Sequence, residues 1–205
     1  MAGNPKRAIE IPTIDTVLVT VKQGETEYAL DTASKVEVTP QTETTDAVKL
    51  MIKGVLKAQK PGKTTLTGNT IVLTDNVFTP EVVKILQGGT IKYWQDAEKS
   101  SEGADDKGYG VSSYTPPLTG SSEKIEPFIL CCYSAQYSAG GNIVQYEKIE
   151  YPNCHGDPVS LGSEDDVFRA PQYTINSLPE ANEPPYKLSY LKELPTVDPV
   201  TAPGA

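Results

Sequence analysis

At 205 residues, with 38% hydrophobic and 7% aromatic side chains, the chain has material for one modest core, and no apolar run approaches the ~20 residues of a membrane-spanning helix. A formal net charge of −9, from 27 acidic and 18 basic residues, argues against tight nucleic-acid binding through a basic face, because such a surface repels phosphate. Residues 1–12 hold two basic groups and lack the apolar stretch of a secretion signal, and three cysteines, an odd number, suit free thiols in a reducing cytoplasm.

Sixteen glycines and 17 prolines imply many turns, and recurrent Thr, Val, Ile and Tyr favour pleated surfaces, so a mainly β fold is predicted. Residues 1–13 read as a flexible arm, 14–194 as the folded unit and 195–205 as a Pro-rich mobile tail. Residues 14–21 are predicted as a first strand and 35–39 as a short second one. The next segment alternates most cleanly: Val48, Leu50, Ile52 and Leu56 share one parity, while Lys49, Lys53 and Lys57 take the other. That predicts one buried and one wet face, with a bend or bulge at Gly54. Lys60-Pro61-Gly62-Lys63 marks a turn, and Gly68-Asn69 between threonine-rich runs reads as a two-residue hairpin.

A short helix is expected over about 79–87. Thr79 stands at the N-cap, Pro80 at N1 and Glu81 near the positive dipole end, and Phe78 and Val83 have the spacing of a hydrophobic staple. Val82, Ile85 and Leu86 form its apolar stripe, and Gly88-Gly89 stops it. Two turns need a sheet to lean on. A strand over 90–95 follows, then a loop insertion over about 96–126, where the pattern dissolves into Ser, Gly and charge. Strands are predicted over 128–137 and 143–151 around a hairpin at 139–142, with a bulge near Glu147, and final strands over 167–175 and 186–191.

Chemistry is sparse. His155, the single histidine, neighbours Cys154, but with Cys131 and Cys132 it makes no zinc spacing, since adjacent strand residues point to opposite faces. A Cys154–His155 nucleophile pair fails for the same reason: neighbours in sequence rarely meet in the required geometry. Asp105-Asp106-Lys107-Gly108 lacks the alternating ligands and closing glutamate of a calcium loop, and Asp165-Asp166 reads as surface charge. No catalytic, cofactor-binding or metal-ligating residue is assigned, and no enzyme is expected. The 11 tyrosines fit either core edges or subunit interfaces, where one end of the side chain is apolar and the other wet.

Several segments, in order, carry a family resemblance: Thr67-Gly68-Asn69-Thr70-Ile71, then Leu73-Thr74-Asp75-Asn76-Val77-Phe78 into the helix and Gly88-Gly89. Later come Tyr114-Thr115-Pro116-Pro117, Tyr133-Ser134-Ala135-Gln136-Tyr137, Tyr151-Pro152-Asn153-Cys154, Tyr173-Thr174-Ile175-Asn176-Ser177 and Pro184-Pro185-Tyr186. Over about residues 28–194 the chain resembles the tail tube (major tail) proteins of phages and prophages of Gram-positive bacteria. The resemblance implies a β-sandwich or partial barrel with one flanking helix and long loops. It implies hexameric rings, stacked into a tube that serves as the conduit for DNA ejection and is located in the virion tail after assembly in the host cytoplasm. Implied partners are further copies of the chain, the tape measure, tail tip or baseplate and tail terminator proteins, and a sheath in tails that contract. DNA would cross the lumen without specific binding, no membrane would be bound, and no cofactor would be held. An acidic balance serves solubility in any protein; in a DNA conduit it also keeps the wall from gripping phosphate. Two other readings stand beside it: the tube protein of a DNA-free contractile phage-tail-like particle, and a stand-alone β-rich binding module.

Overall fold

Strand β1 (Thr13–Gln23) turns at Gly24, whose φ of 59° lies in the left-handed region, into β2 (Thr26–Leu30). Next come β3 (Ala33–Thr45), β4 (Val48–Ile52), β5 (Val55–Lys60) and β6 (Lys63–Asp75). Helix α1 (Pro80–Gln87) is followed by β7 (Thr90–Tyr93) and β8 (Val111–Thr115). The chain finishes with β9 (Phe128–Tyr137), β10 (Ile143–Gly156), β11 (Gln172–Ser177) and β12 (Lys187–Leu191). This computed structural model describes residues 11–30, 32–94, 110–120, 124–162 and 164–197. The expected N-terminal arm up to residue 10, the parts of the expected loop at 96–109 and 121–123, including the acidic stretch at 105–108, and the tail from 198 lie outside them.

Over the described residues the protein is mainly β, as its composition predicts, with one short helix. Eight strands make one antiparallel sheet in the order β2–β1–β9–β10–β11–β6–β3, and β12 also pairs with β10. Strand β10 has 14 residues, enough to be shared: Tyr146–Glu150 pair with β12, and Cys154–Gly156 pair with β11. The sheet curls until β3 approaches β1 but does not close into a barrel. Alternation then sorts the side chains. Val19 and Val21 of β1, Phe128, Leu130 and Cys132 of β9, and Ile71 and Leu73 of β6 point into one core. On the other face of β1 and β9, Leu18, Cys131 and Tyr133 form a smaller cluster covered by Leu191 and Leu194.

Helix α1 completes the main core with Val82, Val83, Ile85 and Leu86, all buried. Burying each such side chain stabilises by about 1.5–3 kcal/mol, an upper estimate that still exceeds what eight residues of helix can supply alone. The Thr79 carbonyl accepts from the Val82 and Val83 amides at 3.1 and 3.2 Å, while the Thr79 side chain makes no capping bond. At the other end the Gly88 amide donates to the Lys84 carbonyl at 2.8 Å, and Gly88 and Gly89 have φ of 76° and 98°, the stop expected there.

Four expectations need correction. Strand β6 runs straight through Gly68-Asn69, which pair with Gln41 and Pro40, so there is no hairpin at that point. Glycine is needed at 68 because a Cβ would sit 2.5 Å from the Ser177 carbonyl oxygen. Pairing of β10 with β9 is regular from Gln145 to Tyr151, so the bulges lie at its two ends and not near Glu147. Both faces of that stretch are half-buried, which explains apolar residues on both parities. The 96–126 segment is not all loop, since β8 pairs with β7 there. Finally, Val167 makes only an isolated bridge to Glu164, and the strand starts at Gln172.

Candidate assembly surfaces

The residues with reactive side chains are three buried cysteines and one histidine, and of these Cys132 and Cys154 share the main core. Cys131 and Cys132 point to opposite faces of β9, into the smaller and the main cluster. Cys154 is wholly buried, and its thiol donates to the Tyr151 carbonyl at 3.3 Å. Burial pushes the Cys132 and Cys154 thiols up to about 12. His155, the next residue on β10, is half-buried and pairs through its backbone with Asn176. Among the described residues no group of three His, Cys, Asp or Glu side chains could hold a metal ion. Asp165 and Asp166 occupy an exposed turn, with Asp166 at φ 59°.

The tyrosines divide between the two roles open to them. Tyr133, Tyr151 and Tyr173 are core residues, whereas Tyr186 and Tyr190, at 45% and 52% exposed, flank or belong to β12 near the C-terminal end. Strands β2 and β3 terminate the main sheet, and such edges invite pairing with another chain.

The most unusual feature is a projecting ribbon. Pairing of β6 with β11 ends at Asn69–Ser177, and beyond it β3 and β6 pair only with each other, as far as Thr45–Lys63. After a break at Asp46-Ala47 and Pro61-Gly62 the ribbon continues as the β4–β5 hairpin. Its turn is Lys53-Gly54, both at positive φ (50° and 79°), the mark of a type I′ turn. At about 3.4 Å per residue the two-stranded part is on the order of 35 Å long.

Every residue from Thr42 to Thr65 is exposed. The strong alternation over 48–56 therefore does not mark a buried face in this chain. By register, Val48, Leu50 and Ile52 share one face with Ala58 and Val55, while Met51 and Leu56 oppose each other on the other face. The two-residue turn puts Leu56 opposite Met51 on that second face, correcting the single parity expected from sequence, and the register shift beside Met51 brings Ala58 opposite Leu50. The six large apolar residues of this hairpin are 47–67% exposed. An isolated two-stranded hairpin is at best marginally stable in water, and a contiguous exposed apolar patch marks an interaction site. The ribbon is also basic. Lys49, Lys53, Lys57, Lys60 and Lys63 lie between residues 47 and 74, and no acidic residue does, so the rest of the chain is more acidic than the overall −9.

A second surface lies at the other end of the same strands. The loop 157–171 leaves β10 beside Thr174 and returns where the Pro171 carbonyl accepts from the Asp75 amide at 3.0 Å. Arg169 braces it, donating to the Gly162 carbonyl at 2.9 Å and stacking over the Phe78 ring at 5.4 Å. Braced this way, the loop presents Phe168 at 96% exposure, with Val167 and Leu161 also exposed, above an open groove of about 510 Å3. Asp157, Glu164, Asp165 and Asp166 make it acidic, against Arg169 alone. Sequence reasoning missed both surfaces as surfaces; the available signals were the lysine run without acids and the apolar pair Val167-Phe168 directly after an acidic triplet.

No protein-family model matches the chain, and no curated protein matches it.

Proposed function

We propose that this protein is the structural subunit of a phage tail tube, assembling into stacked hexameric rings that conduct DNA during ejection. The observation that carries the reading is the apolar, basic ribbon over 42–65, which no described residue of its own chain covers. Open edges at β2 and β3 and the acidic body around that ribbon support the same reading, because a ring of copies can pair the edges while the body charge discourages other contacts. In this reading the chain performs no chemistry. Its lumen wall carries an acidic excess that lets a polyanion slide, and Lys49, Lys53 and Lys57 lie away from that wall.

Sedimentation velocity and negative-stain microscopy of the purified full chain at rising concentration, with and without its tail-tip partner, test the proposal. Sixfold rings or hollow tubes are expected. A protein that remains monomeric under all these conditions refutes it, and a reconstruction with a basic excess on the lumen wall refutes the low-friction account.

A further inference from the structure

We propose that the β4–β5 hairpin of one copy docks on the 157–171 loop of the next, as a head-to-tail contact along the strand axis. This deepens the assembly reading and rests on it for what the contact builds. Three observations carry it. The hairpin offers Val48, Leu50, Ile52 and Val55 together with a cluster of lysines, and the loop offers Phe168, Val167 and Leu161 with four acidic groups, so both apolar and charged chemistry are complementary. The two surfaces also lie at opposite ends of one strand direction: β6 enters from the ribbon at Lys63 and reaches the loop at Asp75, where Pro171 bonds it. A copy displaced along that direction presents its loop end to the ribbon of the copy below. Such a contact is heterologous and does not close on itself, so it propagates as a stack. Finally, the loop is braced by Arg169, which keeps Phe168 and the adjoining groove exposed to receive an apolar partner.

A second copy is favoured over a polyanion as the occupant. A phosphate surface would satisfy the lysines but leave the hairpin's apolar face uncovered, and it offers no counterpart for an acidic loop carrying Phe168.

The test uses the full chain. Lys49→Glu/Lys53→Glu/Lys57→Glu and Glu164→Lys/Asp165→Lys/Asp166→Lys should each weaken self-association at low salt by about tenfold or more, and their 1:1 mixture should recover it, because the swapped charges pair again between copies. Wild-type association should fall as salt rises from about 50 to about 500 mM. Leu50→Cys with Phe168→Cys should give intermolecular disulfide ladders under oxidation, since the native thiols are buried. All substituted residues are exposed, so an unchanged circular-dichroism melt serves as the fold control. Rings or tubes that form without cross-linking and without rescue by the swap overturn this contact while leaving the tube reading intact. Wild-type protein that never associates overturns both. Binding of duplex DNA or anionic vesicles that is lost in the lysine variant, with self-association unchanged, overturns it in favour of a polyanion partner.

Discussion

Gly156→Ala should dislodge the helix from the sheet. Gly156 sits on β10 under α1, and an added Cβ would lie 2.6 Å from Leu86 Cβ, 2.7 Å from its Cδ2 and 2.8 Å from its Cα. Two of those atoms belong to the rigid part of the residue, so no rotamer change relieves them. Reaching ordinary contact requires the helix to withdraw by roughly 0.8 Å, the kind of overpacking that costs about 1–3 kcal/mol. Withdrawal also strains the 2.7 Å bond from the Val159 amide to Gln87 Oε1, which ties the helix end to the following loop. For a chain of this size the loss corresponds to a fall in melting temperature of about 2–12 °C. Urea denaturation of Gly156→Ala beside Gly162→Ala measures it. Gly162 has nothing within 4 Å of its would-be Cβ and should stay within about 0.5 kcal/mol of wild type. Adding Leu86→Ala should not rescue Gly156→Ala, because alanine retains the Cβ and Cα that clash. A Gly156→Ala protein as stable as wild type, or rescued by Leu86→Ala, would refute the seating of α1 on β10.

Leu86→Asp puts an uncompensated charge where the side chain is 1% exposed, at a cost of several kcal/mol, so insoluble protein is expected in expression trials. A soluble, well-folded variant would mean that the helix stripe faces water. The three thiols should be inert to an aromatic disulfide reagent in the native state and react fully after denaturation; fast native labelling would contradict the packing of Cys131, Cys132 and Cys154. Burial raises Cys132 and Cys154 from an ordinary 9.0 to about 12, and Tyr173 from 10.0 to about 12. The folded state thus holds these protons more tightly than the unfolded chain. Their contribution is complete below pH 9 and lost as pH rises toward 12, so melting temperatures measured from pH 7 to 11 should fall progressively above 9. A flat profile would contradict the prediction.

Where one chain supplies both sides of a contact, its sequence was readable. The helix 79–87 is marked by Pro80, the apolar stripe Val82, Ile85 and Leu86, and two glycines, and all three features act in the structure as their chemistry requires. Strand β9 was delimited to the residue, and the opposed Cys131 and Cys132 followed from pleat alone. The readings that failed share a cause. Gly68-Asn69 looks like a turn because glycine serves turns, but here it serves the close passage of the Ser177 carbonyl. Alternation over 48–56 reports that a face needs covering, yet it cannot report what covers it, and none of the described residues of this chain does. Strand β2 escaped notice because five residues with two threonine or glutamate side chains at the start, Thr26 and Glu27, carry little periodicity, although Gly24 marked the turn before it. The loop 157–171 has no periodicity at all, so its braced shape depends on Arg169 reaching Phe78 and Gly162, partners that local pattern does not reveal.

The break in the ribbon at Asp46-Ala47 and Pro61-Gly62 has a mechanical consequence. Ladder bonds stop at Thr45–Lys63 and resume at Val48–Lys60, and Pro61 has no amide to bridge the gap. Gly62 is hemmed in by the Thr45 carbonyl and the Ala47 amide, so the strands stay side by side across the break without a rung between them. Such a ribbon behaves like two stiff rods joined by a strap. Pulled along its length, it transmits load through both continuous backbones; pushed sideways, it yields at one place. In the proposed stack, copies coupled through straps of this kind would resist being drawn apart while each link absorbed a small change of angle, so curvature would be distributed along the stack and the curled sheets themselves would not need to deform.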